Sequence, residues 1–387
     1  VERLRSFCIG SAPAGSRCPR AVQAARDVMR MGERSKFRVG KLVEVRSEAE
    51  ILRTLDARGM LEGTPFMAEM LQYCGKQFRV GKVAHKTCDT MYYTGLRRVK
   101  AAVHLEGLRC DGSAHGGCDA DCLLFWKDAW LKRVGEKRRK GRDLREIEPT
   151  TVDNSAPPGR ERLYAGTRHE SEDRYVCQVT ELLNMSRPWA WWNPVQYLED
   201  IRSGNFSISH VYRTLILAAL RQLIPRYPNH PMLVGIYDRL ARRTRIRRYF
   251  SREQLSGPIQ PGSPTPGGGP DLKAGDWVRI RPAKEIISTL ANARNKGLSF
   301  DTEMYPYCGG TYRVRGLVRR LIEEPTGRMM EVKTPCVKLE GVVCKSEYSE
   351  RRYMCPREIM PFWRPLWLEK VESVEEGPLR PSTDRHE

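Results

Sequence analysis

Residues 274–290 read AGDWVRIRPAKEIISTL, and residues 39–55 read VGKLVEVRSEAEILRTL. Each opens on a glycine turn, enters a short alternating strand (WVRIR at 277–281, LVEVR at 42–46) and continues into a helical stretch. Gly40, Val43, Arg46, Glu50, Ile51, Thr54 and Leu55 fall on Gly275, Val278, Arg281, Glu285, Ile286, Thr289 and Leu290. The likeness extends outward from this block. Glu69, Met70, Tyr73, Cys74, Gly75, Arg79 and Val80 return as Glu303, Met304, Tyr307, Cys308, Gly309, Arg313 and Val314. Val103, Leu105, Glu106, Gly107 and Cys110 return as Val337, Leu339, Glu340, Gly341 and Cys344. Phe125, Trp126, Trp130, Leu131 and Val134 return as Phe362, Trp363, Trp367, Leu368 and Val371. Four blocks in one order make Val39–Val134 and Ala274–Val371 two copies of one module.

In the second copy, TYRVRGLVRRLIEE and GRMMEVKTPCVKLEG flank Pro325-Thr326-Gly327, a turn signal that predicts a long hairpin. Several short strands joined by such turns predict a small closed or half-closed barrel. The opening AGDWVRIRPAKEI resembles the first strand of SH3-like barrels, such as KOW modules and the nitrile hydratase β-subunit barrel. The repeat as a whole, with YCG, CVKLEGVVC and MCPR, is similar to cysteine-rich repeat proteins of bacteria. The resemblance implies an SH3-like fold for each copy and carries over no catalytic residue. The expected fold class is α+β, with two homologous small β-barrel metal-binding modules flanking a helical middle domain.

The chain has 12 cysteines, and Val1–Arg30 lacks the continuous apolar region of a secretory signal. A cytoplasmic location is therefore expected, where thiols stay reduced and serve as metal ligands or buried groups. The second copy offers Cys308, Cys336, Cys344 and Cys355, a donor set that tetrahedral zinc accepts. Their spacing is irregular, so four packed thiols are the competing reading. The first copy has Ala102 where Cys336 would fall, and its loop reads RCDGSAHGGCDADC. Cys88, Cys110, Cys118 and Cys122 are its preferred ligands, with His115 or Cys74 as substitutes, and the loop glycines permit the backbone to wrap an ion. Structural zinc is expected at two sites. An iron–sulfur cluster also takes thiolates, but no familiar cluster spacing is present. A catalytic reading has His115 activating a Cys118 thiolate.

The expected organisation is an extension at 1–36, a first module at 37–135, a basic and proline-rich linker at 136–159 and a mainly helical unit at 160–255. A Pro/Gly linker at 256–270, a second module at 271–373 and a disordered tail at 374–387 follow. In the middle unit, Ser207 caps a predicted helix to Leu223, and Pro231–Tyr249 reads as another. Trp189, Trp191, Trp192 and Tyr197 predict a small aromatic core there. Cys177 is read as buried, acquiring a ligand role only if the middle unit docks on a repeat. The paired tryptophans 126/130 and 363/367, four apart, are read as core packing.

A net charge of +20 admits a polyanionic partner, although the densest basic runs, Lys132–Arg142 and Arg239–Arg248, lie largely outside the repeats. The longest apolar run, Leu215–Leu220, is far too short to span a bilayer. Phosphate-binding glycine loops, dinucleotide fingerprints and HExxH motifs are absent. These features favour a non-enzymatic zinc-stabilised binding or scaffold protein with a protein or nucleic-acid partner and no membrane association. An enzyme using the His115/Cys118 loop or the aromatic middle segment is the alternative. Oligomeric state is not legible.

Overall fold

Strict alternation sets the first strand of each copy. In β1 (Leu42–Val45) Val43 and Val45 point inward, and in β9 (Trp277–Ile280) Val278 and Ile280 do the same. The computed structural model describes residues 34–134, 159–169, 174–223, 232 and 255–372. The described residues from Ser35 onward belong to one compact unit. They are mixed α/β, with several antiparallel sheets and few helices. The predicted helix at 231–249 and the dense basic run at 239–248 lie almost wholly outside the described residues.

Both copies build the same four-stranded sheet, to which the first adds a fifth strand. In the first, β1 pairs antiparallel with β2 (Gln77–Val83) on one side and with β7 (Leu131–Arg133) on the other. Beyond β2 come β5 (Ala102–Leu105) and β6 (Trp126–Lys127), completing five strands in the order β6-β5-β2-β1-β7. In the second, β9 lies between β10 (Thr311–Ile322) and β12 (Leu368–Val371), with β11 (Met329–Leu339) outside β10. The hydrogen bonds repeat as well. Gly40 N–H donates to Val80 O and Gly275 N–H to Val314 O, both at 2.8 Å. Arg46 N–H donates to Trp130 O and Arg281 N–H to Trp367 O, both at 2.9 Å.

Each sheet closes over its own apolar core. Ile51, Met70, Val80, Leu105, Trp126 and Trp130 fill the first, and Ile286, Met304, Val314, Leu339, Trp363 and Trp367 the second. All four tryptophans are fully buried, as packing predicts. Each 126/130 or 363/367 pair spans a short 3-10 turn, so the four-residue spacing comes from a closing turn rather than a helix face. Truncating any one to alanine costs roughly 3–5 kcal/mol.

The middle segment is joined to the first copy. Its strand β8 (Ser186–Trp189) pairs with β4 (Leu96–Val99), which also pairs with β3 (Lys86–Cys88). Helix α1 (Pro194–Ser203), capped by Asn193 whose side chain accepts from Val195 N–H at 3.0 Å, packs behind. Its Asp200 accepts from buried Lys86 Nζ at 2.6 Å. The next helix, α2 (Ile208–Leu223), follows the predicted span.

The long hairpin β10–β11 forms as expected, turning at Gly327 with φ 73°. A Cβ there would meet Tyr175 O at 2.7 Å, so glycine lets the middle segment approach, and Tyr175 N–H donates to Gly327 O at 2.8 Å. The hairpin also grips the first copy's cysteine loop. Asp119 accepts backbone N–H from Arg319 and Arg320, Asp119 N–H donates to Arg320 O at 2.8 Å, and Asp121 pairs with Arg315. The 256–270 stretch, expected to be a flexible linker, lies on the second copy. Pro266 O accepts from Asn295 Nδ2 at 3.0 Å, and Thr265 Oγ1 accepts from Lys296 N–H at 2.8 Å. Among the described residues, no helix is long and apolar enough to cross a membrane.

Candidate metal centre

The loop between β5 and β6 is folded around its glycines. Gly112 has φ 74°, and a Cβ on it would stand 2.3 Å from Cys118 O, so only glycine lets the loop close on itself. Cys110 N–H donates to Cys122 O at 2.8 Å, which sets those two cysteines opposite each other at the loop's neck. Gly112 O accepts from His115 N–H at 3.1 Å and turns the imidazole back toward the neck.

There it meets Cys110 and a residue from outside the loop. His115 Nε2 is 3.3 Å from Cys110 Sγ, Cys110 Sγ is 3.5 Å from Glu69 Oε1, and His115 Nδ1 is 3.7 Å from the same oxygen. Glu69 sits in the 3-10 turn Ala68–Tyr73 and is buried, as is His115. Glu69, Cys110 and His115 therefore form a group that can hold a metal ion. Tetrahedral zinc with one sulfur, one nitrogen and one oxygen ligand would space those atoms roughly 3.3–3.6 Å apart. Taking one donor atom from each residue, the three lie within 4.8 Å of one another, the 3.3 Å and 3.7 Å contacts being made by different nitrogens of the His115 ring.

Its electrostatics describe the group without an ion. Burial pushes the Glu69 carboxyl up to about 7 and the His115 imidazole down to about 4. Burial, with the Glu69 charge adding to it, drives the Cys110 thiol far above its usual range. Each member favours its neutral form there, and Glu69 Oε2 and His115 Nδ1 have no hydrogen-bond partner.

Three further thiols face the same place. Cys110, His115, Cys118, Cys122 and Cys177 line one small cavity of about 40 Å³, to which Ile322 and Glu324 of the second copy also contribute. Burial pushes these thiols up as well, Cys118 above its usual range, Cys122 to about 11 and Cys177 to about 12. On its outer side Glu69 borders a surface cleft with Gln72, Ser113, Arg160 and Tyr164.

The sequence-derived ligands divide as follows. Cys110, Cys118, Cys122 and His115 come together, whereas Cys88 lies beside Cys355 of the second copy, its N–H donating to Cys355 Sγ at 3.1 Å. The Cys344 sulfur lies 3.5 Å from Ser346 Oγ. Cys336 is buried on β11 with its sulfur 4.0 Å from Val318 O, and Cys308 directs its sulfur toward Met304 O at 3.8 Å. Neither meets another thiol in these contacts, so the expected four-cysteine set of the second copy is not assembled. The substitute ligand Cys74 is half-buried and packs against the first core instead.

One residue of the centre, Glu69, is not singled out from sequence, whereas Cys177, read as buried with a ligand role only if the middle unit docks on a repeat, does lie against the first copy. Glu69 was visible only as one acid retained in both copies, at Glu69 and Glu303, inside an otherwise apolar and aromatic stretch. Searches against protein-family models, curated proteins and solved structures find nothing that matches this chain.

Proposed function

We propose that the chain is a non-enzymatic, zinc-stabilised binding protein in which two SH3-like modules present loops to an anionic protein or nucleic acid. Zinc is held in the first module by Glu69, Cys110 and His115, with Cys118, Cys122 and Cys177 as soft donors beside it. The donor triangle carries this reading. A buried carboxylate oxygen and an imidazole nitrogen without partners are costly, and a divalent cation is the group that satisfies both while taking the thiolate. The mixed nitrogen, oxygen and sulfur set suits zinc better than calcium or magnesium, which prefer oxygen alone. The net charge of +20 supports an anionic partner. Catalysis by a Cys118 nucleophile has less support, because the His115 ring nitrogen lies against Cys110.

Elemental analysis of the full chain tests the reading. Wild type should carry zinc that the Glu69→Gln/His115→Ala double variant loses while keeping its far-ultraviolet circular dichroism. Equal zinc in the two proteins, or iron with labile sulfide in wild type, would refute it.

A further inference from the structure

The loop that joins β3 to β4 reads DTMYYTG at 89–95 and is held from within by Asp89. The Asp89 carboxylate accepts from Met91 N–H and Tyr92 N–H at 3.0 Å each and from the Thr94 hydroxyl, and Asp89 N–H donates to Gly95 O at 2.9 Å. These bonds fix the loop with Tyr92 and Tyr93 at its tip, 62% and 71% exposed. Tyr93 is at φ 56°, a left-handed conformation that large side chains rarely adopt. A fixed loop that accepts strain to hold two large rings in water adds nothing to the core.

Two other segments bring rings and guanidinium groups to the same place. A Cβ on Gly95 would stand 3.5 Å from Arg351 O, so the loop runs beside Arg351 of the second copy. The next residue, Arg352, lies over the Tyr93 ring, 5.7 Å from its centroid. Its neighbour Tyr353 is buried against Trp191 of the middle segment, ring centroids 6.2 Å apart, and Trp191 meets Trp192 at 6.0 Å. Trp192 ends this series 71% exposed. A run of contacts therefore links exposed Tyr93 to exposed Trp192 through one guanidinium and two inner rings. Positive charge accompanies it. Arg351 and Arg187 are exposed, and Arg98 lies over the Trp189 ring at 5.1 Å. Arg187 and Arg98 stand opposite each other across the β8–β4 pair, and Glu199 approaches Arg98 at 3.8 Å. Like charges so placed weaken a sheet, and a bound phosphate offsets the repulsion.

We propose that this surface binds single-stranded nucleic acid, with Tyr92, Tyr93 and Trp192 stacking on bases while Arg187, Arg351 and Arg352 meet phosphates. Exposed rings stack on unpaired bases of any sequence, and arginines beside them follow the backbone. A duplex keeps its base faces covered, and an acidic peptide gives the arginines a partner but leaves the rings without one. The proposal rests on the anionic-partner part of the reading above and not on the metal.

Fluorescence anisotropy of a labelled thymidine oligonucleotide of about 15 residues, titrated with the full chain at low salt, is the test. Wild type should bind it with an affinity that falls steeply as salt rises. Tyr93→Ala and Trp192→Ala should each weaken binding about tenfold and together about a hundredfold, while Tyr93→Phe, which keeps the ring, should bind as wild type does. Both rings stand largely in solvent, so these changes leave the cores in place. Heparin, a polyanion without bases, is the second probe, and it should bind wild type and the ring variants alike. Unchanged oligonucleotide affinity in the double variant overturns the proposal. So does a wild type that binds heparin and not the oligonucleotide, a result that leaves the anion-binding reading standing. Binding of neither probe overturns both.

Discussion

Glu69 and Glu303 occupy matching positions in the two copies, and both are buried. Their surroundings have parted. Glu303 Oε1 accepts from Tyr348 N–H at 2.7 Å, Ser349 N–H at 2.8 Å and Ser349 Oγ at 3.0 Å, so its charge is met by a loop of its own copy. Glu69 has no such loop and faces Cys110 and His115. Likewise Cys110 meets an imidazole, where its counterpart Cys344 meets the Ser346 hydroxyl at 3.5 Å. The duplicated frame keeps a carboxylate and a thiol at one pole, and the loop of each copy decides whether protein amides satisfy the carboxylate or an imidazole faces it.

The largest expected asymmetry lies at another matched pair, His104 on β5 and Lys338 on β11. Lys338 reaches Asp121 at 3.5 Å. His104 is sealed in, its Nδ1–H donating to Leu124 O at 2.9 Å and its ring 4.6 Å from Phe125. Burial lowers its folded-state value to about 4, against roughly 6.5 in an unfolded chain. Above that unfolded value both states are neutral and pH has no effect through this residue. As pH falls from about 6.5 toward 4, the unfolded chain takes up the proton first, so stability drops by on the order of 3 kcal/mol and levels off below. Urea unfolding of the chelated protein at neutral and acid pH should show wild type losing about 3 kcal/mol more than His104→Asn, which keeps the donor to Leu124; His115 and Glu69 titrate alike in both proteins and cancel in the difference. Parallel pH profiles for the two proteins would mean that His104 is not held neutral.

A smaller effect, of about 2 kcal/mol, should separate the two glutamates themselves. Glu303→Ala leaves the Tyr348 and Ser349 amides buried without their acceptor, a loss typically worth 1–3 kcal/mol. Glu69→Ala strands no backbone amide of another segment, its carboxylate being met only by its own N–H, so in chelated protein its unfolding free energy should change by less than about 1 kcal/mol. Metal content should respond in the opposite order, falling for Glu69→Ala and holding for Glu303→Ala. If both variants lose stability equally without metal, the contrast between the poles fails.

The parts read correctly from sequence are those in which local pattern and tertiary role coincide. Val43/Val45 and Val278/Ile280 alternate because the strand period is two, and Pro325-Thr326-Gly327 turns because glycine permits a positive φ. The cysteine partners were only half legible. Cys110, Cys118 and Cys122 share one short loop, so their convergence was visible from spacing. Cys88 and Cys355, 267 residues apart, meet because β3 and the loop after β11 pack together, and no local signal encodes that. Glu69 was hidden differently: the repeat marked it as retained, but retention alone does not separate a ligand from a cap, and its twin Glu303 is indeed a cap.

The most delicate comparison concerns what the copies still share. Trp130 Nε1–H donates to Thr54 Oγ1 and Trp367 Nε1–H to Thr289 Oγ1, each at 3.0 Å. Each threonine hydroxyl in turn donates to a backbone oxygen three residues earlier, Ile51 O or Ile286 O, at 2.7 Å. Valine replaces threonine with almost the same shape and no hydroxyl, so it leaves a buried indole N–H without its acceptor while hardly disturbing the packing. Because geometry and burial match, Thr54→Val and Thr289→Val should each cost about 1 kcal/mol, and amide hydrogen exchange should show the loss confined to the copy that carries the change. Equal losses would place the divergence of the copies in their loops alone. A loss that is clearly larger in one copy would mean that its loop chemistry reaches into the core, where tryptophan and threonine otherwise hold the same bond in both.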